Sequence, residues 1–307
     1  MKKLVAMLTL SFVLAIASSV SADIILSHTA VIDAMGMGGT EMVVTQKIKG
    51  EMDHTSVTST GKGMMAGATQ TAENIIISRM DKGVMWVLNP ATKTYIEYPL
   101  ATMKAMADAG EAQAESDSTA DQEYNWTITI DTLAESTING FACKGIKGVA
   151  EGVSLNPPGD RTRMTYEVWV GKDLPGNDEL TKHYQRMSEL TGQNAYSQGE
   201  MVSQILGKGE KQLRQLADAA EKLNGFPVRM EVTVATTVDL GKEMEGEAGD
   251  DSEATAMMEQ VKALMKGQVG EDGLTTVVSL RSNMTKIEVV PVDAAVFDIP
   301  EGFTRGF

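Results

Sequence analysis

IIISRMDKGVMWVLNPATKTYIEYPL, Ile75 to Leu100, decides the fold class. Two tight turns divide it into three short strands. Asp81-Lys82-Gly83 supplies the first, with glycine for positive φ, and Asn89-Pro90-Ala91-Thr92 the second, with proline presetting φ. The runs between are rich in Ile, Val, Trp and Tyr, which suit a pleated, half-buried surface. Period two puts Val84, Trp86 and Leu88 on one face. Such a meander needs more sheet to pack against, and it carries no obvious catalytic group.

Outward from this stretch, alternation continues. Met42, Val44 and Ile48 oppose Thr45 and Lys47; Trp126, Ile128 and Ile130 oppose Thr127, Thr129 and Asp131. Met164, Tyr166, Val168 and Val170 oppose Glu167 and Trp169, and Val228, Met230, Val232 and Val234 oppose Arg229, Glu231 and Thr233. Thr276 to Val290 reads as two strands around Arg281-Ser282-Asn283. One polar face per strand predicts an antiparallel sheet wetted on one side and covered on the other. Helical spacing predicts the cover. One helix starts at an Asn177 cap, with Asp178 and Glu179 in its first turn, and ends at Gly192. A second spans about Gly199 to Leu223 and stops at Asn224-Gly225. A third runs from Glu253 to Lys266 with Met257, Met258, Val261, Leu264 and Met265 as its stripe. A shorter one covers Leu100 to Ala109. The expected class is α+β, one curved antiparallel sheet with helices on its concave face.

The first residues read as an export signal. Met1-Lys2-Lys3 precedes an apolar run from Leu4 to Ala17, and Val20-Ser21-Ala22 offers a cleavage site before Asp23. The run is too short to span a bilayer, and no later segment is long and apolar enough to do so. Export to the periplasm or release beyond it is expected, without stable membrane insertion. Cleavage leaves residues 23–307 as one domain and removes two positive charges from a chain already at a formal −15. That balance argues against nucleic acid or an anionic lipid surface as the main partner. Asp108 to Glu123 and Glu243 to Glu253 each carry six carboxylates. They are expected to be solvated loops, since neither has the D-x-D-x-D-G spacing of a calcium loop. Cys143, the single cysteine, cannot form an intramolecular disulfide and is expected to pack as a small buried hydrophobe.

Several short motifs share an order with a known family. Arg79-Met80-Asp81 precedes Val84-Met85-Trp86-Val87-Leu88 and Thr94-Tyr95-Ile96-Glu97; Gly140-Phe141-Ala142-Cys143-Lys144 follows, then Val168-Trp169-Val170 with Leu174-Pro175. The tail adds Gly225-Phe226-Pro227-Val228 and Phe297-Asp298-Ile299-Pro300-Glu301-Gly302-Phe303. Over residues 40–303 the chain resembles exported bacterial proteins that have a domain of unknown function and a LolA-like fold. That fold, shared by lipoprotein carriers and RseB-type periplasmic regulators, is an open half-barrel closed by helices. The resemblance implies a cavity suited to acyl chains. It carries over no substrate or catalytic residue.

Methionine is unusually common, 21 residues against six Phe, six Tyr and three Trp. Thioether ligands for Cu(I), an adaptable apolar lining and plain core filling all fit such a content. His28, His54 and His183 are scattered in sequence, which disfavours copper, and no metal or other cofactor is expected. Trp86 and Trp126 fall on the faces read as inward, with Tyr95 near them, and Trp169 on the outer side. Enzyme function finds no support: the chain has no G-x-S-x-G, no H-E-x-x-H and no phosphate-binding loop. Gly36-Met37-Gly38-Gly39 leads into a strand rather than a helix, so it lacks the helix N-terminus that would hold phosphate. The expected function is a non-enzymatic periplasmic protein that holds a lipid, acyl chain or lipoprotein between sheet and helices. Trp86, Leu88, Trp126, Ile128, Val168, Met230, Val232, Met257 and Val261 are its expected lining. The alternative is a protein-interaction or envelope-stress sensor module that contacts an envelope protein partner and holds no small ligand.

Overall fold

The computed structural model describes residues 23–34, 38–63, 72–116, 124–155, 158–192, 210–237 and 269–306. The signal segment, the helix expected at 253–266 and the acidic stretch at 243–253 lie outside the described residues.

Two antiparallel meanders make the sheet. The first holds β1 (Ile24–Ala34), β2 (Gly39–Lys49), β3 (Met52–Gly61), β4 (Ala72–Arg79), β5 (Val84–Asn89) and β6 (Thr94–Pro99). The second holds β7 (Tyr124–Ile138), β8 (Phe141–Leu155), β9 (Pro158–Gly171), β10 (Phe226–Thr236) and β11 (Thr275–Val289). Pairing of β1 with β11 joins them, and β12 (Thr304–Arg305) adds parallel to β6. The result is one open, curved 12-stranded sheet in the order β12-β6-β5-β4-β3-β2-β1-β11-β10-β9-β8-β7. With three α-helices among the described residues it is α+β, as expected. Residues 275–289 form one strand rather than two. Arg281 and Asn283 sit in regular register with Val31 and Thr29, so the triplet is strand and not a turn, with Ser282 buried on the opposite face from Arg281 and Asn283.

The opening meander folds as read. Gly83 takes φ +69° after a short 3-10 turn at Met80–Lys82, and the Asn89 side-chain oxygen accepts from the Ala91 and Thr92 amides at 3.0 and 3.2 Å. Helix α1 (Leu100–Ser116) follows directly from β6. It runs seven residues beyond the expected end and takes in part of the first acidic stretch. Its many alanines favour helix over the loop that the carboxylates suggested. Helix α2 (Asn177–Thr191) starts one residue earlier than read: Gly176 is the cap, and Asn177 opens the helix itself. Gly192 ends it at φ +77°. Helix α3 (Glu210–Glu221) is the described part of the second expected helix.

Three apolar clusters hold the layers together. One places α3, through Leu216 and Ala220, on Tyr166, Val168, Met230, Val232 and Leu280. Another places Leu180 and Tyr184 of α2 on Ile24, Leu26, Ile48 and Met284. The third unites Ile77, Trp86 and Leu88 with Val292 and Phe297 of the C-terminal segment.

Candidate functional site: the apolar helical face

Strand register assigns every side chain to a face. Starting from Leu26, which packs under α2, one row of neighbours reads Leu26, Gln46, Thr55, Ile76, Val87 and Ile96 across β1 to β6. The next reads Ile24, Ile48, Asp53, Ser78, Met85 and Tyr98. In the other direction Ala30, Ser282, Met230, Val168 and Ile146 share the same face. So do Ile128, Ala150, Met164 and Val234, and, one row on, Trp126, Gly152 and Thr162.

Five of the expected lining residues therefore come together: Trp126, Ile128, Val168, Met230 and Val232 all look toward the helices. Val168, Met230 and Val232 are fully buried core, and Trp126 and Ile128 pack at their margin. Trp86 and Leu88 do not join them. Trp86 pairs with Ile77, Ile77 with His54, His54 with Lys47 and Lys47 with Ile25, which places both residues on the opposite face beneath the C-terminal segment. Tyr95 does lie beside Trp86, as read, and the indole donates to Glu97 Oε2 at 2.9 Å. The opposite face of β3–β6 is thus covered, not wetted. A signal for this was present: Ile75-Ile76-Ile77 and Val84 to Leu88 are unbroken apolar runs, the pattern of a strand buried on both sides. Met257 and Val261 lie outside the described residues.

On the helical face the two halves of the sheet differ. Under α3 the side chains are closed off from solvent. From β1 to β6, apart from Ile24, Leu26, Ile48 and the polar residues buried under α2, an apolar stretch is only half-covered: Ile32, Met42, Val44, Val57, Ile76, Met85 and Val87 are intermediate, and Ile96 and Tyr98 at the edge are each 40% exposed. Between these halves, α2 lies over a buried polar group that sequence spacing could not have assembled. Asp53 of β3 accepts from the Gln46 amide and from Thr55 Oγ1 (2.7 Å), and meets His183 Nε2 at 3.3 Å; Tyr184 Oη donates to Gln46 Oε1 at 2.6 Å. His28, on β1, stacks toward Phe226, and Phe226 toward Tyr184, with ring centroids 6.5 and 5.1 Å apart. Burial pushes the His28 imidazole down to about 4.

The opposite face of β7–β11 is polar. Arg281 pairs with Glu231 at 2.9 Å, and Arg163 with Glu151 at 2.6 Å and with Asp272. Trp169 lies on this side, as expected, its ring over Gly145 and its indole N–H on Glu167 Oε1 at 2.9 Å. An open hollow of about 220 Å³ among Arg163, Thr165, Thr233 and Asp272 belongs to this polar face. Cys143 is buried, and burial raises its thiol pKa, so it is packed rather than reactive. Among the described residues no group of three His, Cys, Asp or Glu could hold a metal ion, and no helix is long and apolar enough to cross a membrane. Met164, Met230 and Met284 are core residues, whereas Met42 and Met85 lie on the half-covered stretch. No protein-family model matches the chain, and a search of curated proteins finds no relative.

Proposed function

We propose that this is a non-enzymatic, exported periplasmic protein that holds the acyl chain of a lipid or lipoprotein on the helical face of a LolA-like half-barrel. One observation carries the reading: the half-covered apolar stretch from Ile32 and Val44 to Val87 and Ile96. An apolar stretch that crosses six strands beside the buried Gln46–Asp53 group and is only half-covered by the described helices is suited to an apolar ligand. Five inter-strand steps of about 4.8 Å make it roughly 24 Å long, enough for an extended acyl chain. The methionines there, Met42 and Met85, add a surface that repacks around different chains. The lining is accordingly revised to Val44, Val57, Ile76, Met85, Val87 and Ile96, with Trp86 and Leu88 left out.

A second reading, a protein-interaction or envelope-stress sensor module, draws on the opposite face, where Val43 is 50% and Val31 38% exposed. Lipid mass spectrometry on protein purified from its native envelope separates the two. A stoichiometric co-purifying lipid is the expected result. Protein that emerges without lipid and also excludes added fatty-acid probes would sink the carrier reading. Crosslinking through Val43 to a single envelope protein would then favour the sensor.

A further inference from the structure

Helix α2 is fastened to the β2–β3 hairpin by a buried histidine whose surroundings count protons. His183 Nδ1 lies 3.0 Å from the Gly50 carbonyl oxygen, and its Nε2 lies 3.3 Å from Asp53 Oδ2. A backbone carbonyl can only accept. The carboxylate of Asp53 is likewise an acceptor here, since it already takes the Gln46 amide and the Thr55 hydroxyl. Tyr184 fixes that amide by donating to its oxygen, so the NH₂ end must face Asp53. Both ring nitrogens of His183 therefore face acceptors. A neutral imidazole has one N–H and one lone pair, and would set the lone pair against one of these oxygens; the imidazolium, with two N–H groups, satisfies both. His183 and Asp53 are 3% and 4% exposed, so water cannot take over either bond.

We propose that His183 and Asp53 form a proton-operated latch that holds α2 over the helical face at mildly acidic to neutral pH and loosens it as pH rises, gating access to the apolar-chain site. The gating rests on the functional reading above; the latch does not. Burial pushes the His183 imidazole down, but the hydrogen bond and charge of Asp53 and the Gly50 carbonyl outweigh it, and the net shift is upward. A folded-state pKa raised above 6.5 gives stability that is complete below 6.5 and lost as pH climbs through the raised value.

Other charged and titratable groups surround α2. Glu51 of the hairpin pairs with Arg186, which also meets Glu189, both at 3.2 Å. On α1, Lys104 and Asp108 pair with each other at 3.7 Å. Asp178, Glu179 and Lys182 sit on α2 itself, Glu179 one turn before His183, and the groups that raise the imidazole are Asp53 and the Gly50 carbonyl. From β1, His28 is already neutral, because burial holds it near 4. The Tyr184 phenol is pushed up by burial and stays protonated. From β10 come Phe226 and Val228, while Arg229 turns to the other face and binds Asn283 at 2.8 Å.

The test is hydrogen exchange of the α2 amides in the full exported chain from about pH 6 to about pH 9, corrected for intrinsic rates, with binding of a fluorescent palmitate analogue measured alongside. Expected is a loss of α2 protection of about tenfold or more with rising pH, a matching change in probe affinity, and constant protection in β9 and β10. Asp53→Asn and His183→Gln should remove the pH dependence. Arg186→Gln, which cuts only the exposed ion pairs, should keep it and covers the case in which a buried variant fails to fold. Wild-type α2 protection that does not vary with pH overturns the latch. An α2 that loosens without any change in probe affinity overturns the gating. A chain that binds no probe at any pH overturns the ligand reading, while the exchange profile still decides the latch.

Discussion

Three glycines in one strand show how single residues shape this protein. A Cβ on Gly145 would come within 2.7 Å of the Trp169 ring, one on Gly148 within 2.4 Å of Leu216 Cδ2, and one on Gly152 within 2.8 Å of the Trp126 ring. Each glycine makes room for a large neighbour, so β8 can carry α3 on one side and an indole on either. Gly148→Val should push Leu216 off the sheet and cost about 1–3 kcal/mol, read as a lower urea midpoint at unchanged slope. The buried His183 and the half-buried His28 act in opposite senses. His28 is neutral in the folded chain, whereas the unfolded chain takes up a proton below 6.5. Its contribution is therefore intact at neutral pH and falls away between about pH 6.5 and about pH 4, by up to roughly 3 kcal/mol. His28→Leu should flatten that part of the stability profile measured by denaturant unfolding. Glycine spacing and a lone histidine are visible in the sequence, but not the ring or carboxylate each one meets. Those neighbours sit on other strands and helices, as far away as 130 residues for His183 and Asp53.

At the scale of elements, the C-terminal segment changes the meaning of the opening meander. Val292, Val296, Phe297, Ile299 and Phe303 lie along Ile77, Trp86 and Leu88 and turn an exposed sheet face into a second core. Polar anchors hold it in place. Asp23 takes the Val292 amide at 2.8 Å and Lys49 at 2.7 Å; Arg79 bridges Asp81 and Asp298, both at 2.7 Å. The segment then ends as β12, with the Gly306 amide on the Tyr95 carbonyl at 2.7 Å, which covers part of the β6 edge. Phe297 is fully buried, so Phe297→Ala should cost about 3–5 kcal/mol in equilibrium unfolding. The same change should raise Trp86 fluorescence quenching by iodide. If quenching stays at the wild-type level in a folded variant, the segment does not shield the indole.

For the whole molecule, pairing of β1 with β11 joins the two meanders into one sheet, and each half of the helical face has a different fate. The half under α3 is packed shut, and the half from β1 to β6 remains partly open. A charge placed in the open half should therefore weaken binding of a fatty-acid probe without unfolding the chain. Val87→Glu should lower probe affinity by about tenfold or more, because burying a carboxylate against an acyl chain is costly. Trp86→Leu, one residue away but on the other side of the sheet, should leave affinity unchanged. Equal losses in both variants, with circular dichroism intact, would contradict the face assignment.

Most of the secondary structure was legible in the chain, since alternation and turn chemistry act over a few residues. The three strands of Ile75–Leu100, the Gly83 turn and the Gly192 helix end follow from local sterics alone. The same alternation correctly grouped Val84 with Trp86 and Leu88, and Met164 with Tyr166 and Val168. What it could not supply was which side of the sheet each group faced, because period two is identical for both faces. That was settled by pairing between distant strands, which set Trp86 against the C-terminal segment and Val87 toward the helices. The sequence by itself determined most of the elements, their hydrophobic grouping and the burial of Cys143. Only the tertiary structure decided the face of each group and brought His183 to Asp53, because both depend on contacts that close over long stretches of chain.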